Sequence, residues 1–142
     1  MKLVCHLLDS KGRDIVSIAP DASVLDAIRL MSDRGIGALV VMDGNNLVGI
    51  LTERDYARKV ILKGRASDAT EVREIMTTDV ITTNSSESVE KCMNTVTEKR
   101  IRHLPVVDEG KLVGMISIGD LVKAIISDQQ QAIEQLEHYI SG

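Results

Sequence analysis

The 142-residue sequence contains no tryptophan and no phenylalanine, and only two tyrosines, Tyr56 and Tyr139. It therefore lacks the aromatic platforms on which single-stranded bases stack. Positive charge is also scarce: 17 Lys and Arg against 21 Asp and Glu leave a net charge of −4. That is the wrong sign for a phosphate-backbone partner, whose affinity comes from clustered cations. No apolar run approaches the roughly 18 residues of a membrane span. Only six residues, one of them His6, separate Lys2 from Asp9, too few for the apolar region of a signal peptide. The expected location is the cytoplasm. Cys5 and Cys92 are the only cysteines and, with His6, His103 and His138 scattered, show no metal-site spacing. Cys92 reads as a small buried hydrophobe on a helix face.

What is present is a repeat. Leu47–Asp55 reads LVGILTERD and Leu112–Asp120 reads LVGMISIGD, 65 residues apart. The match extends without a gap from Asp14–Arg58 over Asp79–Lys123 with eleven identities, including Ser23/Ser88, Ile36/Ile101, Asp43/Asp108, Gly49/Gly114 and Asp55/Asp120. A fixed internal period means two copies of one small unit. With 44% apolar residues, the chain can build one aliphatic core or two closely packed ones.

The apolar periodicity predicts the same elements in each copy. Leu3–Leu8 reads as one or two helical turns and Lys11-Gly12-Arg13 as a basic turn. Ile15–Ile18 is a short strand ended by Pro20. Ser23 is an N-cap with Asp26 at capping-box spacing. Val24, Ala27, Ile28 and Met31 then form one helical stripe that stops at Gly35. Leu39–Met42 and Leu47–Leu51 are strands joined by Asp43-Gly44-Asn45-Asn46, a hairpin signal. A second helix is predicted from Thr52 to about Lys63, stopping at Gly64. In the second copy Ser88 caps a helix carrying Val89, Cys92, Met93 and Val96, followed by strands Leu104–Val107 and Leu112–Ser117. The order strand, helix, strand, strand, helix is expected twice. Residues 128–142 continue as helix, with Ile133, Leu136 and Ile140 on one side, facing the chain's own body or a second subunit.

Thr52-x-x-Asp55 and Ser117-x-x-Asp120 each fall where a strand turns into a helix. The first-turn N–H groups there are unsatisfied and carry the positive end of the helix dipole, which favours a phosphate. The hydroxyl is read as an additional donor, and the carboxylate, an acceptor with two oxygens, suits the paired hydroxyls of a ribose. The same spacing is also that of an ordinary capping box.

Two β-α-β-β-α units in tandem, each closing on Gly-x-x-[Ser/Thr]-x-x-Asp, resemble the CBS domain, named for cystathionine β-synthase. The resemblance runs from about Leu3 to Ile126. It implies a mixed α/β (α+β) fold in which two CBS repeats form a pseudo-twofold pair, a stand-alone Bateman module, assembled as a disc-like homodimer. The corresponding boundaries are residues 3–64 for the first repeat, 65–78 for the linker and lead-in, 79–127 for the second repeat and 128–142 for the helical tail. The family binds adenosine-containing ligands in clefts that mix the two repeats. Carried over, the first cleft takes Ile50, Thr52, Arg54, Asp55, Arg58 and Met76, with Ile81, Ile101 and Arg102 from the second repeat. The second takes Met115, Ser117, Asp120 and His103, with Lys11, Arg13, Val16, Ile36 and Gly37 from the first. The basic residues differ between copies, since Arg102-His103 stands where the first copy has Gly37-Ala38, and Arg54 where the second has Gly119. The clefts are therefore expected to be unequal, with Arg54 and Arg102 gripping phosphate in the first and Lys11, Arg13 and His103 serving the second.

The function implied is a non-catalytic regulatory sensor of AMP, ADP, ATP or NAD(H), signalling to an unknown effector protein through a change in packing or dimer arrangement. One alternative is an S-adenosylmethionine sensor. A module that only dimerises or docks a partner protein is another. An enzyme would need a nucleophile with its base, a Gly-rich phosphate loop or a metal cluster, and none of these patterns occurs.

Overall fold

The computed structural model describes residues 2–141. By packing, the chain divides into two compact units, Ile15–Ile81 and Met1–Asp14 with Thr82–Gly142. The sequence repeat and the packing units thus differ at the N-terminus, because the first helix joins the second copy. Among the described residues no helix is long and apolar enough to cross a membrane.

In the unit Ile15–Ile81, β1 (Ser17–Ile18) pairs in parallel with β2 (Ala38–Asp43), which pairs antiparallel with β3 (Asn46–Thr52). Helix α2 (Val24–Arg34) begins at Ser23, whose Oγ accepts the Asp26 N–H at 3.1 Å. It ends at Gly35, whose φ of 64° lies in the left-handed region that suits glycine. Val24, Ala27 and Met31 form the predicted stripe and pack with Leu39, Val41 and Leu51. Ala38 to Val41 are all buried, so β2 is covered on both faces and reads as a continuous apolar run.

The helix expected from Thr52 to Lys63 is not uniform. Four α-helical residues, α3 (Glu53–Tyr56), pass into a π-helical stretch, Ala57–Ile61. The Leu62 N–H reaches back five residues to the Ala57 carbonyl at 3.0 Å. The wider turn accompanies two anchors, Tyr56 just before it, whose hydroxyl is 3.0 Å from Ser67 Oγ, and Val60 within it, fully buried in the core. A single turn, α4 (Val72–Ile75), then packs on β3.

In the other unit, α1 (Val4–Lys11) packs on β5 (Lys111–Ser117) and on α6 (Ile118–Ser141), and β4 (His103–Asp108) pairs with β5. Helix α5 (Val89–Lys99) is capped by Ser88, whose Oγ accepts the Lys91 N–H. Cys92 is buried, as its position on the stripe predicts. The first strand expected in this copy is reduced to one bridge, Thr83↔Val106, made by Thr83 N–H to the Pro105 carbonyl and Val107 N–H to the Thr83 carbonyl. The next rung, which the first copy makes as Ser17↔Val40, needs an N–H where this copy has Pro105. Proline has none, so the ladder stops. The expected tail is not a separate element: α6 runs unbroken through 24 residues.

Helices α1 and α4 hold equivalent places. Val4 and Leu7 are buried like Val72 and Ile75, and the residues that precede them bridge to the two helix caps, Leu3 to Ser88 and Glu71 to Ser23. A Cβ at Gly114 would lie 2.6 Å from Leu8 Cδ2, and one at Gly49 2.6 Å from Met76 Sδ. Each glycine leaves the room that the lead-in side chain fills. The alignment of Leu8 with Met76 shows that Lys11-Gly12-Arg13 is an insertion, and it lengthens α1 to Lys11.

Candidate functional site

Both [Ser/Thr]-x-x-Asp motifs form reciprocal capping boxes. The Thr52 N–H and hydroxyl donate to Asp55 Oδ2 at 3.1 Å each, and the Asp55 N–H donates back to Thr52 Oγ1 at 3.1 Å. The Ser117 N–H and hydroxyl donate to Asp120 Oδ2 at 2.8 and 3.1 Å, and the Asp120 N–H returns to Ser117 Oγ at 3.2 Å. The strand order explains the position. Thr52 ends β3 opposite Ala38, and Ser117 ends β5 opposite His103. The next N–H of each chain closes the turn, Glu53 onto the Gly37 carbonyl and Ile118 onto the Arg102 carbonyl. The expectation that these hydroxyls are spare donors for a phosphate is corrected here, because each donates to its own aspartate.

Each carboxylate also holds a lysine, delivered from a different element. Lys59, one turn along the same helical segment, places Nζ 3.2 Å from Asp55 Oδ1 and donates to the Ile75 carbonyl at 2.9 Å. Thr77 Oγ1 makes a longer contact of 3.4 Å with the same oxygen. In the other unit Lys11, at the end of α1, donates to Asp120 Oδ2 at 2.7 Å and to the Met115 carbonyl at 2.8 Å. The three-residue insertion brings Lys11 to this point. Burial pushes the Asp120 carboxyl up, but the hydrogen bonds from Lys11 and Ser117 and the charge of Lys11 outweigh it, leaving it below the usual carboxylate range.

The remaining sequence-predicted residues divide between the units. Ile50, Arg54, Arg58, Met76 and Ile81 lie with Thr52 and Asp55 in Ile15–Ile81, as do Val16, Ile36 and Gly37. Arg54 and Arg58 are exposed, whereas Ile50 is buried and bridges to Thr77. Arg13, Ile101, Arg102 and His103 lie with Lys11, Met115, Ser117 and Asp120. Arg13 turns to Asp9, four residues earlier, at 2.8 Å, and Arg102 is exposed. A cavity of about 480 Å³ in the unit Ile15–Ile81 is lined by Ile28, Met31, Ile36, Gly37, Glu53 and Tyr56 among others. It approaches the α3 turn from the α2 side.

Lys59 and Thr77 were missed in the sequence. The i,i+4 spacing of Asp55 and Lys59 was a readable signal, whereas Thr77 reaches Asp55 only through the bridge with Ile50. Among the described residues no group of three or more His, Cys, Asp or Glu is placed to hold a metal ion.

The CBS domain family matches the chain over residues 11–62 and again over 72–127. The CBS domain-containing protein CBSX3, mitochondrial, of Arabidopsis thaliana is 41% identical, the match covering 98% of this chain and 72% of that protein. The structure of a protein with CBS domains from Burkholderia ambifaria MC40-6 is similar with a TM-score of 0.88 and 53% identity, over 90% of this chain and 96% of that one. The CBS domain pair of protein MJ0100, solved in complex with 5′-methylthioadenosine and S-adenosyl-L-methionine, has a TM-score of 0.80 and 25% identity, over 90% and 98% of the two chains. With two matched copies, each ending in the same Asp-closed turn, the chain belongs to the CBS domain family as a tandem pair.

Proposed function

We propose that this CBS pair is a cytoplasmic, non-catalytic regulatory protein that binds an adenosine-containing nucleotide, AMP, ADP, ATP or NAD(H), at the Asp-closed turns. The observation that carries the reading is the way Asp120 is held. The cap bonds and Lys11 all land on Oδ2, so the carboxylate is fixed in orientation while Oδ1 is the oxygen offered to ribose hydroxyls. Lys11 beside the start of the 24-residue α6 adds a cation to the positive end of the helix dipole. Asp55 stands at the corresponding turn of the other repeat, with Arg54 and Arg58 as its exposed cations, but its Oδ1 already meets Lys59 and Thr77, so the Asp120 turn carries the reading. Ile50 and Ile81, in the same unit as Asp55, and Met115 and Ile101, in the same unit as Asp120, belong to the proposal as apolar neighbours of the two turns. Occupancy then shifts packing, or the arrangement of a homodimer, toward the form that contacts the ligand best.

The S-adenosylmethionine reading is kept because the MJ0100 pair was solved with that ligand. Calorimetric titration of AMP, ATP, NAD, NADH and S-adenosylmethionine into unfolded and refolded protein separates the two. Saturable heat from a nucleotide supports the proposal, and heat from S-adenosylmethionine alone transfers it to the second reading. Absence of heat from all five, with the protein folded, removes both and leaves a partner-docking module.

A further inference from the structure

Helix α6 carries an apolar seam that its own chain does not cover. Val122, Ile126, Gln129, Ile133, Leu136 and Ile140 recur at alternating steps of four and three, the spacing of a coiled-coil seam. The five apolar members are all exposed, from 41% at Val122 to 76% at Ile140. From Gln129 to Ser141 no residue is buried. Thirteen helical residues without tertiary support are marginal in water, so a helix there implies a partner.

We propose that the occupant is α6 of a second copy, lying antiparallel across a twofold axis near residue 131. In that register Ile126 packs on Leu136 of the second copy, Ile133 on its Gln129, and Ile140 on its Val122. The flanks fix both direction and register. On one side Lys123 meets Glu137 of the second copy, an ion pair made twice by symmetry. On the other side Ala132 meets Ala132, and Ile125 meets Tyr139. Sliding by one heptad loses a layer and sets Lys123 against Gln130 or past the end of the seam. In a parallel pair Lys123 and Glu137 stand 14 residues apart, about 21 Å along the axis, and cannot interact. The seam is independent of the nucleotide reading, since none of its residues belongs to the Asp120 turn.

Sedimentation analysis of the full chain tests it. Wild type should form an assembly whose dissociation constant for this step rises roughly 100-fold or more in Ile133→Glu, because each of the two symmetry-related carboxylates then loses water inside the seam, facing Gln129 between layers of Ile126, Leu136, Val122 and Ile140. Ile133 is exposed, so both packing units should stay folded in the variant, as circular dichroism reads, with loss confined to the signal of about 13 helical residues. Lys123→Glu and Glu137→Lys should each weaken the step about 3- to 10-fold, and the double exchange should restore it. Rescue establishes the antiparallel register, and failure of rescue overturns it. A monomeric wild type, or an assembly unchanged by Ile133→Glu, overturns the seam as a contact between copies. Such a result would assign the face to a different protein.

Discussion

Replacing Lys11 by methionine keeps most of the apolar stem and removes the ammonium that holds Asp120 Oδ2 and the Met115 carbonyl at 2.7 and 2.8 Å. A shielded charge-assisted hydrogen bond contributes roughly 1.5–3 kcal/mol. Here the Lys11 and Asp120 side chains are 37% and 20% exposed, and solvent screening reduces the net effect to about 1 kcal/mol. That corresponds to a loss of about 3 °C in Tm, or about 0.5 M in the urea midpoint. The pH dependence supplies the sharper test. Asp120 is held below the usual carboxylate range in the folded state, so its contribution is complete above the unfolded value of about 3.9 and is lost as pH falls through the lower, folded one. Urea unfolding of both proteins from pH 7 to pH 3 should show the gap between them narrowing as acid is added. A gap that is constant with pH would mean that Lys11 acts through the Met115 carbonyl and not through Asp120, and no gap at pH 7 would remove the ion pair from the stability of this unit.

Asp120→Asn should weaken nucleotide binding by about 2–3 kcal/mol, on the order of 30–150-fold in a calorimetric titration. It should also lower the melting temperature, because Lys11 then loses its counter-charge; unchanged affinity in a folded variant would confine Asp120 to capping. Gly114→Ala should destabilise by about 1–3 kcal/mol through the collision with Leu8, and a double-mutant cycle with Leu8→Ala should show strong coupling. Additive effects would place the strain elsewhere. Native protein should titrate one fast thiol, Cys5, with a disulfide reagent. Cys92 should react only on unfolding, since burial shields its thiol and pushes it up; two fast thiols would contradict the packing of α5.

Much of the fold was legible because it depends on local chemistry. Ser23 and Ser88 announce helix starts, Gly35 announces a stop, and the apolar stripes fix which faces are buried. Both Asp-closed turns could be read as capping boxes for the same reason, since the interacting groups lie within three residues of each other. The π-helical stretch at Ala57–Ile61 was not legible. Its sequence is an acceptable α-helix, and the wider turn is stabilised by where Tyr56 and Val60 must reach. The lost first strand of the second copy was readable in principle, because Pro105 stands where the parallel ladder needs an N–H.

By itself the sequence determined that there are two repeats, where their helices and strands lie, and that an aspartate closes each repeat at a helix start. These follow from periodicity, capping and turn chemistry, all short-range. The family resemblance had put Lys11 in one cleft with Asp120, but only the tertiary structure decided that α1 packs with the second copy and that Lys11 binds the carboxylate directly. Lys59 comes to Asp55 from one turn away, but Lys11 comes to Asp120 across 109 residues, through the burial of Val4, Leu7 and Leu8 and the three-residue extension of α1. Long-range packing places that charge, and no local pattern around Asp120 encodes it.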